Sequence, residues 1–349
     1  MQHIIAPLVI MGLLMTTAFG DSQRTGRIAI GWWNVENLFD TTNDVDPTPR
    51  FGSDDEFTPA GSREWTSERY LKKIKNVADV IRSMNEGKGP EVMAVCEVEH
   101  EQVLRELTEN HLADLSYQIL YHESPDPRGI DIGFLYKSAL LRLRASGFRR
   151  ISLSDGSRPT RDILFVEFET PWGILVCIAN HWPSRRGGAA QTESRRILAA
   201  QACRAIVDSV LAISASADIV VMGDFNDTPA DISITSYLQA IPDTQMVKEH
   251  GTVFLYNCMT SFGENQMPGT YLYRGSWDMI DQFLLSAGLL DTVGFRYDGV
   301  EIYHRSFLLE QSGRFAGAPF STYGGAKYLG GYSDHLPILI YLRGVATAH

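Results

Sequence analysis

The sequence is poor in cysteine and in positive charge, and each shortage narrows the choices. Only Cys96, Cys177, Cys203 and Cys258 occur in 349 residues. Cys96 and Cys177 sit inside apolar, strand-like runs and Cys203 on a helix face, the setting of small buried hydrophobes rather than of a disulfide framework. A chain of this length builds its core without such staples. Lys and Arg number 31 against 42 Asp and Glu, a net charge of −11. A protein that coats nucleic acid through its overall charge is basic, so that class is excluded. A nuclease is not excluded, because bound metal and a few local arginines can supply the positive field. Beyond the first twenty residues no apolar run is long enough to span a bilayer. Internal repeats and low-complexity linkers are also missing.

Residues 4–19 are nearly all apolar and are followed by Gly20, Asp21 and Ser22. Ala18 and Gly20 stand where a signal peptidase takes small residues. The run is too short and too poorly flanked for a membrane span. The sequence therefore predicts a signal peptide over 1–20, cleaved near Gly20, and export to the periplasm or the exterior. Met1-Gln2-His3 lacks Lys and Arg, so the competing reading is an anchor that is never cleaved. No Cys follows the run, which argues against a lipoprotein start.

Strands and helices alternate along the rest. Residues 27–33 read as a strand, and 41–63, rich in Asp, Pro, Gly and Thr, as a long loop. Tyr70, Leu71, Ile74, Val77, Ala78 and Ile81 recur at helical spacing, which predicts a helix over 65–84 capped by Thr66 or Ser67. A buried strand follows at 92–95 and a second helix at 102–109. Strands are expected at 116–121, 130–136, 163–168 and 173–179, then an amphipathic helix over 189–213. Further strands are expected at 219–222, 280–285 and 336–342. The second half repeats the plan of the first, which suits two sheets packed face to face with helices outside. Polar tips would then cluster where the strands of both sheets end.

Those tips carry the chemistry. Asn34 follows a strand ending in two tryptophans; its amide oxygen suits a hard cation or a phosphate, or forms a plain turn. Glu36 beside it reads equally as a solvated face residue. Glu97 ends the apolar run 92–96 and lies closer to the strand than its competitors Glu99 and Glu101. Asp131 alternates with Ile130 and Ile132 and either faces inward to hold a histidine or points outward. His181 stands at a strand tip before a Pro/Gly loop in which Arg185 and Arg186 either steer phosphate or form an exposed basic loop. In GDFNDTP (223–229), Asp224 and Asn226 are two apart and can face one side of an extended tip, or form an Asx turn. Asp281 opens a strand. Asp334 and His335 are neighbours whose side chains diverge on extended backbone. So Asp334 is expected to meet metal while Asp281 holds His335 and fixes its tautomer.

Taken together, WWNVENLFD (32–40), AVCEVEH (94–100), NHWPS (180–184), GDFNDTP, WDMIDQFLL (277–285) and GYSDHLPILIYL (331–342) resemble the endonuclease/exonuclease/phosphatase family of metal-dependent phosphoesterases. That family includes pancreatic-type deoxyribonuclease, abasic-site endonucleases, inositol polyphosphate 5-phosphatases and bacterial sphingomyelinases. The wording is most similar to secreted bacterial nuclease-type members. The resemblance implies a four-layer αββα sandwich, one catalytic domain over 21–349, with a single active site at the sheet ends. It implies Asn34, Glu97 and Asp334 as ligands of Mg²⁺, with Mn²⁺ or Ca²⁺ as substitutes. It further implies Asp224 to orient water or serve the leaving oxygen, Asn226 to position phosphate, an Asp281–His335 dyad to deprotonate water or hold the phosphate, and His181 to stabilise phosphoryl oxygens, held by Asp131. Arg185 and Arg186 would bind substrate. The expected activity is an exported phosphodiesterase, a nuclease acting on DNA or RNA as a monomer, with no protein partner. The alternative is a phosphatase or phosphodiesterase of small phosphorylated molecules or lipid head groups, which the acidic charge suits. A silent scaffold is disfavoured because every polar tip is filled.

Overall fold

The computed structural model describes residues 26–43, 54–153, 156, 158–264 and 269–345. The expected leader over 1–20 and the middle of the 41–63 loop lie outside the described residues. In chain order the strands are β1 (Arg27–Leu38), β2 (Val92–Val98), β3 (Tyr117–His122), β4 (Asp131–Lys137), β5 (Arg142–Arg149), β6 (Ile163–Thr170), β7 (Gly173–His181), β8 (Asp218–Asp224), β9 (Ala240–Ile241), β10 (Leu255–Asn257), β11 (Tyr271–Tyr273), β12 (Ser276–Asp278), β13 (Asp281–Leu285), β14 (Gly294–Ile302), β15 (Tyr323–Gly324), β16 (Lys327–Tyr328) and β17 (Ile338–Val345). The helices are α1 (Ser67–Gly87), α2 (Glu101–Glu106), α3 (Ala189–Ile213), α4 (Thr244–Glu249) and α5 (Thr260–Glu264).

Two mixed sheets form, one ordered β14-β17-β1-β2-β4-β3 and the other β5-β6-β7-β8-β13-β10-β9. Each has a long parallel pair at its centre, β1 with β2 and β7 with β8, and the second sheet adds a short one, β9 with β10. A parallel pair needs a long crossover, and α1 and α3 supply it. The fold is therefore the αββα sandwich expected from the alternation. Side chains sort by the period of two: Leu175, Cys177 and Ala179 of β7 enter the core that also holds Trp32, Phe134, Met222 and Phe283. Val176 and Ile178 point the other way, against Cys203, Ile206 and Val207 of α3. Burying each such aliphatic chain contributes about 1.5–3 kcal/mol. All four cysteines are buried and free, and burial pushes the Cys203 thiol up to about 12. They behave as core hydrophobes.

The helix expected over 189–213 runs over those residues. In α1, Thr66 caps the first turn by accepting from Arg69 N. The helix unwinds at 84–86, where Asn85 and Glu86 take positive φ. Two long strands of the sheets are absent from the sequence reading. Both β5 and β14 are edge strands. β5 is exposed along most of its length and β14 along part of it, so neither has a clean apolar alternation to read.

At the sheet end away from the polar tips, Asp218 opens β8. Its Oδ2 accepts from Phe295 N at 3.1 Å, while Oδ1 has no partner among the described residues. Burial raises its pKa to about 7 against the hydrogen bond from Phe295, with Asp291 adding to the rise. The folded protein thus binds this proton more tightly than the unfolded chain. The group's contribution to stability is complete below about pH 4 and is lost as pH rises through about 7. Asp218→Asn keeps an acceptor for Phe295 and removes the buried charge. It is expected to stabilise the fold by about 1–3 kcal/mol at pH 8 and hardly at all at pH 5. Thermal unfolding at the two pH values reads this, and an equal shift at both would refute it.

Candidate active site

The polar tips of both sheets meet. From one sheet, β1 delivers Asn34 and β2 delivers Glu97; from the other, β7, β8 and β13 deliver His181, Asp224 and Asp281. His335 enters from the turn before β17. Asp224 is the hub. Its Oδ2 accepts from Asn34 Nδ2 at 3.1 Å and lies 3.6 Å from His181 Nε2 and 3.9 Å from His335 Nε2. Its Oδ1 accepts from Asn226 N at 2.9 Å. Of the two readings of GDFNDTP the structure forms the Asx-type turn, which uses one carboxylate oxygen of Asp224 and leaves the other in the site, while Asn226 takes a positive φ rather than extending the tip. Gly223 is required by proximity, because a Cβ there would lie 2.5 Å from the Asn180 carbonyl oxygen on the neighbouring strand.

Backbone strain collects here. Glu36, Asn37, Glu97 and Asn226 have φ of 54°, 56°, 62° and 51°, a region that costs non-glycine residues about 1–3 kcal/mol each. At Glu97 the pairing of β2 with β4 slips by one residue between Cys96 and Val98. This bulge re-aims the carboxylate off the β2 tip. Glu97 Oε2 accepts from Asn37 N at 3.1 Å, and Oε1 lies 3.9 Å from His181 Nε2.

The dyad is formed as expected. His335 Nδ1 and Asp281 Oδ2 are 2.7 Å apart, and Asp281 is fully buried. Trp32 Nε1 donates to Asp281 Oδ1 at 2.8 Å, and Trp33 Nε1 donates to the His335 carbonyl at 2.9 Å. Trp32 thus braces Asp281 from the opposite sheet and Trp33 holds the backbone of His335 within its own, a role their position before Asn34 did not reveal. Tyr271 lies over the His335 ring at 4.7 Å. Burial works against an imidazolium at His335, but the charge and hydrogen bond of Asp281, with Asp224 and Asp334, outweigh it and hold the pKa well above the usual value. His181 is the opposite case: burial, then Arg161 and Arg128, push its pKa well below the usual value. Its Nδ1 is buried without a partner among the described residues. A neutral ring with its proton on Nε2, facing two carboxylates, fits this setting.

Asp224, Asp281 and His335 present ligand atoms within 4.8 Å of one another. Both Asp281 oxygens are already bonded, so this is a dyad beside a carboxylate rather than a cation cage. A hard cation suits Glu97 and Asp334 better. Burial, and Glu97 next to it, raise the pKa of Asp334, although His335 and Lys73 oppose the rise. A cation would relieve that repulsion, and the donors are the hard oxygens it prefers. Asn34 Oδ1 accepts from Glu36 N at 3.0 Å and retains a second lone pair.

Several expectations change. Asp131 does not hold His181: its carboxylate accepts from Tyr121 Oη at 2.5 Å, from Ser124 N at 2.9 Å and from Ser124 Oγ. A strand aspartate looks the same whichever neighbour reaches it. Arg185 is not presented to substrate. It donates to the Asn226 carbonyl at 2.6 Å and to Asp231 at 2.7 Å, and pairs with Asp227 at 3.2 Å, so it pins the Asp224 loop. Arg186 is exposed. Asn226 Nδ2 donates to the Trp182 carbonyl at 3.0 Å, tying the β8 tip to the β7 tip.

Three residues were missed. Glu36, which the sequence left equally open to a solvated position, is buried and accepts from Thr322 N and Tyr323 N at 2.6 and 3.1 Å. Burial, with Asp334 adding, raises its pKa to about 7, while Lys73 opposes the rise. Lys73 is only 1% exposed and donates to Thr322 Oγ1 and the Tyr332 carbonyl, both at 2.6 Å. Its place three residues after Tyr70, on the apolar face of α1, was the available signal. Arg161 is buried and donates to the carbonyls of His181 at 3.2 Å and Trp182 at 2.5 Å, and to Asp126 at 2.9 Å. Nothing in its local sequence sets it apart.

A profile of the Endonuclease/Exonuclease/phosphatase family matches residues 29–344. No curated protein matches the chain by sequence. Among solved structures, truncated Caenorhabditis elegans TDP2 superposes with a TM-score of 0.55 at 14% identity, covering 90% of this chain and 97% of that one. ANGEL2, a 2′,3′-cyclic phosphatase, gives a TM-score of 0.59 at 14% identity over 92% and 96% of the two chains. D. rerio TDP2, complexed with a single-strand DNA product, gives 0.54 at 12% identity over 90% and 98%. At these identities the likeness is one of fold.

Proposed function

Because the chain belongs to the endonuclease/exonuclease/phosphatase family of metal-dependent phosphoester hydrolases, we propose that it is an exported, Mg²⁺-dependent phosphodiesterase that cleaves nucleic acid by direct attack of water. The observation that carries this is the convergence on Asp224 Oδ2 of Asn34 at 3.1 Å, His181 at 3.6 Å and His335 at 3.9 Å. The apolar leader followed by Gly20 supports export. The similar fold that holds a single-strand DNA product supports the choice of substrate. So does the β11–β12 hairpin, where Tyr273 is 52% exposed and stacks at 6.4 Å on Tyr271, the ring that covers His335. An exposed aromatic at the mouth of a phosphate site suits base stacking.

Glu97, Asp334 and the side-chain carbonyl of Asn34 are the residues to hold the cation, whose charge when bound polarises the phosphoryl oxygens. Asp224, fixed by Asn34 and Asn226, orients water for in-line attack and accepts its proton. His181 donates from Nε2 to a phosphoryl oxygen as charge grows there. His335, kept protonated by Asp281, presents Nε2–H to the same oxygens. Among the described residues of this arrangement no side chain is placed as a nucleophile, so the proposed reaction is one displacement in which the bond from water oxygen to phosphorus forms as the ester P–O bond breaks.

A second reading, hydrolysis of small phosphorylated molecules or lipid head groups, draws support from the net charge of −11. Plasmid nicking, a chromogenic diester and a monoester panel separate the two when run side by side with Mg²⁺. The expected result is diester cleavage that EDTA abolishes and excess Mg²⁺ restores. Monoester release with intact plasmid would favour the second reading.

A further inference from the structure

Beside the site lies a basin of about 510 Å³ lined by Arg128, Arg158, Arg161, Arg186, Arg195 and Thr160, with Asp126 as the acid among its described lining residues. In a chain of net charge −11, gathering five arginines around one concavity sets up a strong local positive field. Arg161 joins the basin to the chemistry, since its guanidinium bonds the carbonyls of His181 and Trp182 at 3.2 and 2.5 Å. Arg186 is exposed on the loop that leaves His181. Arg128, also in the lining, is exposed, its Nε 3.4 Å from Asp126 Oδ1. Arg128 and Arg161 are also close enough to depress the pKa of His181. The second, independent feature is Thr160. Its hydroxyl is buried without a hydrogen-bond partner among the described residues, and the residue is part of the lining of this basin. An orphaned hydroxyl costs about 1–3 kcal/mol unless a ligand satisfies it.

We propose that the basin is a second phosphate subsite of the catalytic cleft. Arg128, Arg186 and the Thr160 hydroxyl grip the phosphate next to the scissile one, so the substrate is a nucleic-acid strand with at least two phosphodiesters. This rests on the phosphodiesterase reading above. It also returns Arg186 to substrate binding while Arg185 stays with the Asp224 loop.

The test compares 5′-fluorescein-labelled dT8 with bis(p-nitrophenyl) phosphate, which carries one phosphorus, in wild type, Arg128→Ala, Arg186→Ala, the double variant and Thr160→Val. The ratio of kcat/KM on dT8 to that on the small diester is expected to fall about tenfold per arginine. The log–log salt dependence of dT8 KM is expected to flatten by about 0.7 for each phosphate no longer neutralised. Thr160→Val is expected to lower the ratio without lowering Tm. An unchanged ratio in the double variant would overturn the subsite while leaving diester hydrolysis in place. Failure of the function itself has a different signature: wild type would release product from neither diester with Mg²⁺. Anisotropy of dT8 then decides the basin alone. Weaker binding by the double variant sustains it and equal binding overturns it.

Discussion

Asp224→Ala is expected to lower kcat/KM on a diester by about 10³–10⁴-fold without unfolding the protein. Its carboxylate is reached from both sheets, with partners Asn34 and Asn226 at 3.1 and 2.9 Å and two imidazoles within 3.9 Å. Removing it takes away the group that orients water and leaves His181 and His335 without their common neighbour. Asp224→Asn keeps the shape but not the charge, and a loss of about 10²–10³-fold is expected. The pH profile checks the assignment. Burial raises the Asp224 pKa to about 6, opposed by His335 and reinforced by Asp281. The reactive anion is therefore lost as pH falls through about 6, and a bound cation draws that limb lower. A folded Asp224→Ala protein with full turnover would remove Asp224 from the scheme.

His335→Ala is expected to cost about 10²–10⁴-fold, and Asp281→Asn separates two roles for the dyad. With Asp281 2.7 Å from Nδ1, His335 stays protonated well above its ordinary range. If the imidazolium serves by holding phosphoryl oxygens, activity falls as pH rises through its elevated pKa. Asp281→Asn then moves that alkaline limb to lower pH. If instead the dyad acted as a base, activity would rise as the imidazolium lost its proton, and the same substitution would move the acidic limb downward. Rate profiles of wild type and Asp281→Asn therefore give opposite signatures, and the second would overturn the role given to His335. Trp32 bonds the other Asp281 oxygen at 2.8 Å, so the carboxamide remains anchored and a change in pH profile is not a folding effect.

Aromatic residues illustrate how packing decides function. Tyr323, Tyr328 and Tyr332 read equally as base-stacking or loop-packing residues in the sequence. In the structure Tyr323 and Tyr328 pack on Trp65 at 6.0 and 6.4 Å, and Tyr332 packs on Phe307 and Phe320 at 5.6 and 6.2 Å. The exposed aromatic on the hairpin that covers His335 is Tyr273, on a three-residue strand too short to leave a period in the sequence.

What the sequence determined is the framework and the hub of the site. Alternating and helical apolar periods are set by neighbours in the chain, so α1, α3 and the buried strands β2, β7 and β8 are legible, as are the polar residues at their tips. Asp224, Asp281 and His335 were readable for that reason: a charged group at the end of a buried strand has few places to go. Only the tertiary structure decided which partner each polar group takes. Asp131 going to Tyr121 and Ser124, Arg185 to Asp227 and Asp231, and Lys73 to Thr322 and the Tyr332 carbonyl are choices made across a few to hundreds of residues. A hydrogen bond between side chains is a short-range, directional interaction. Its partner is therefore fixed by the packing of the two sheets and their loops, which no local pattern of residues records.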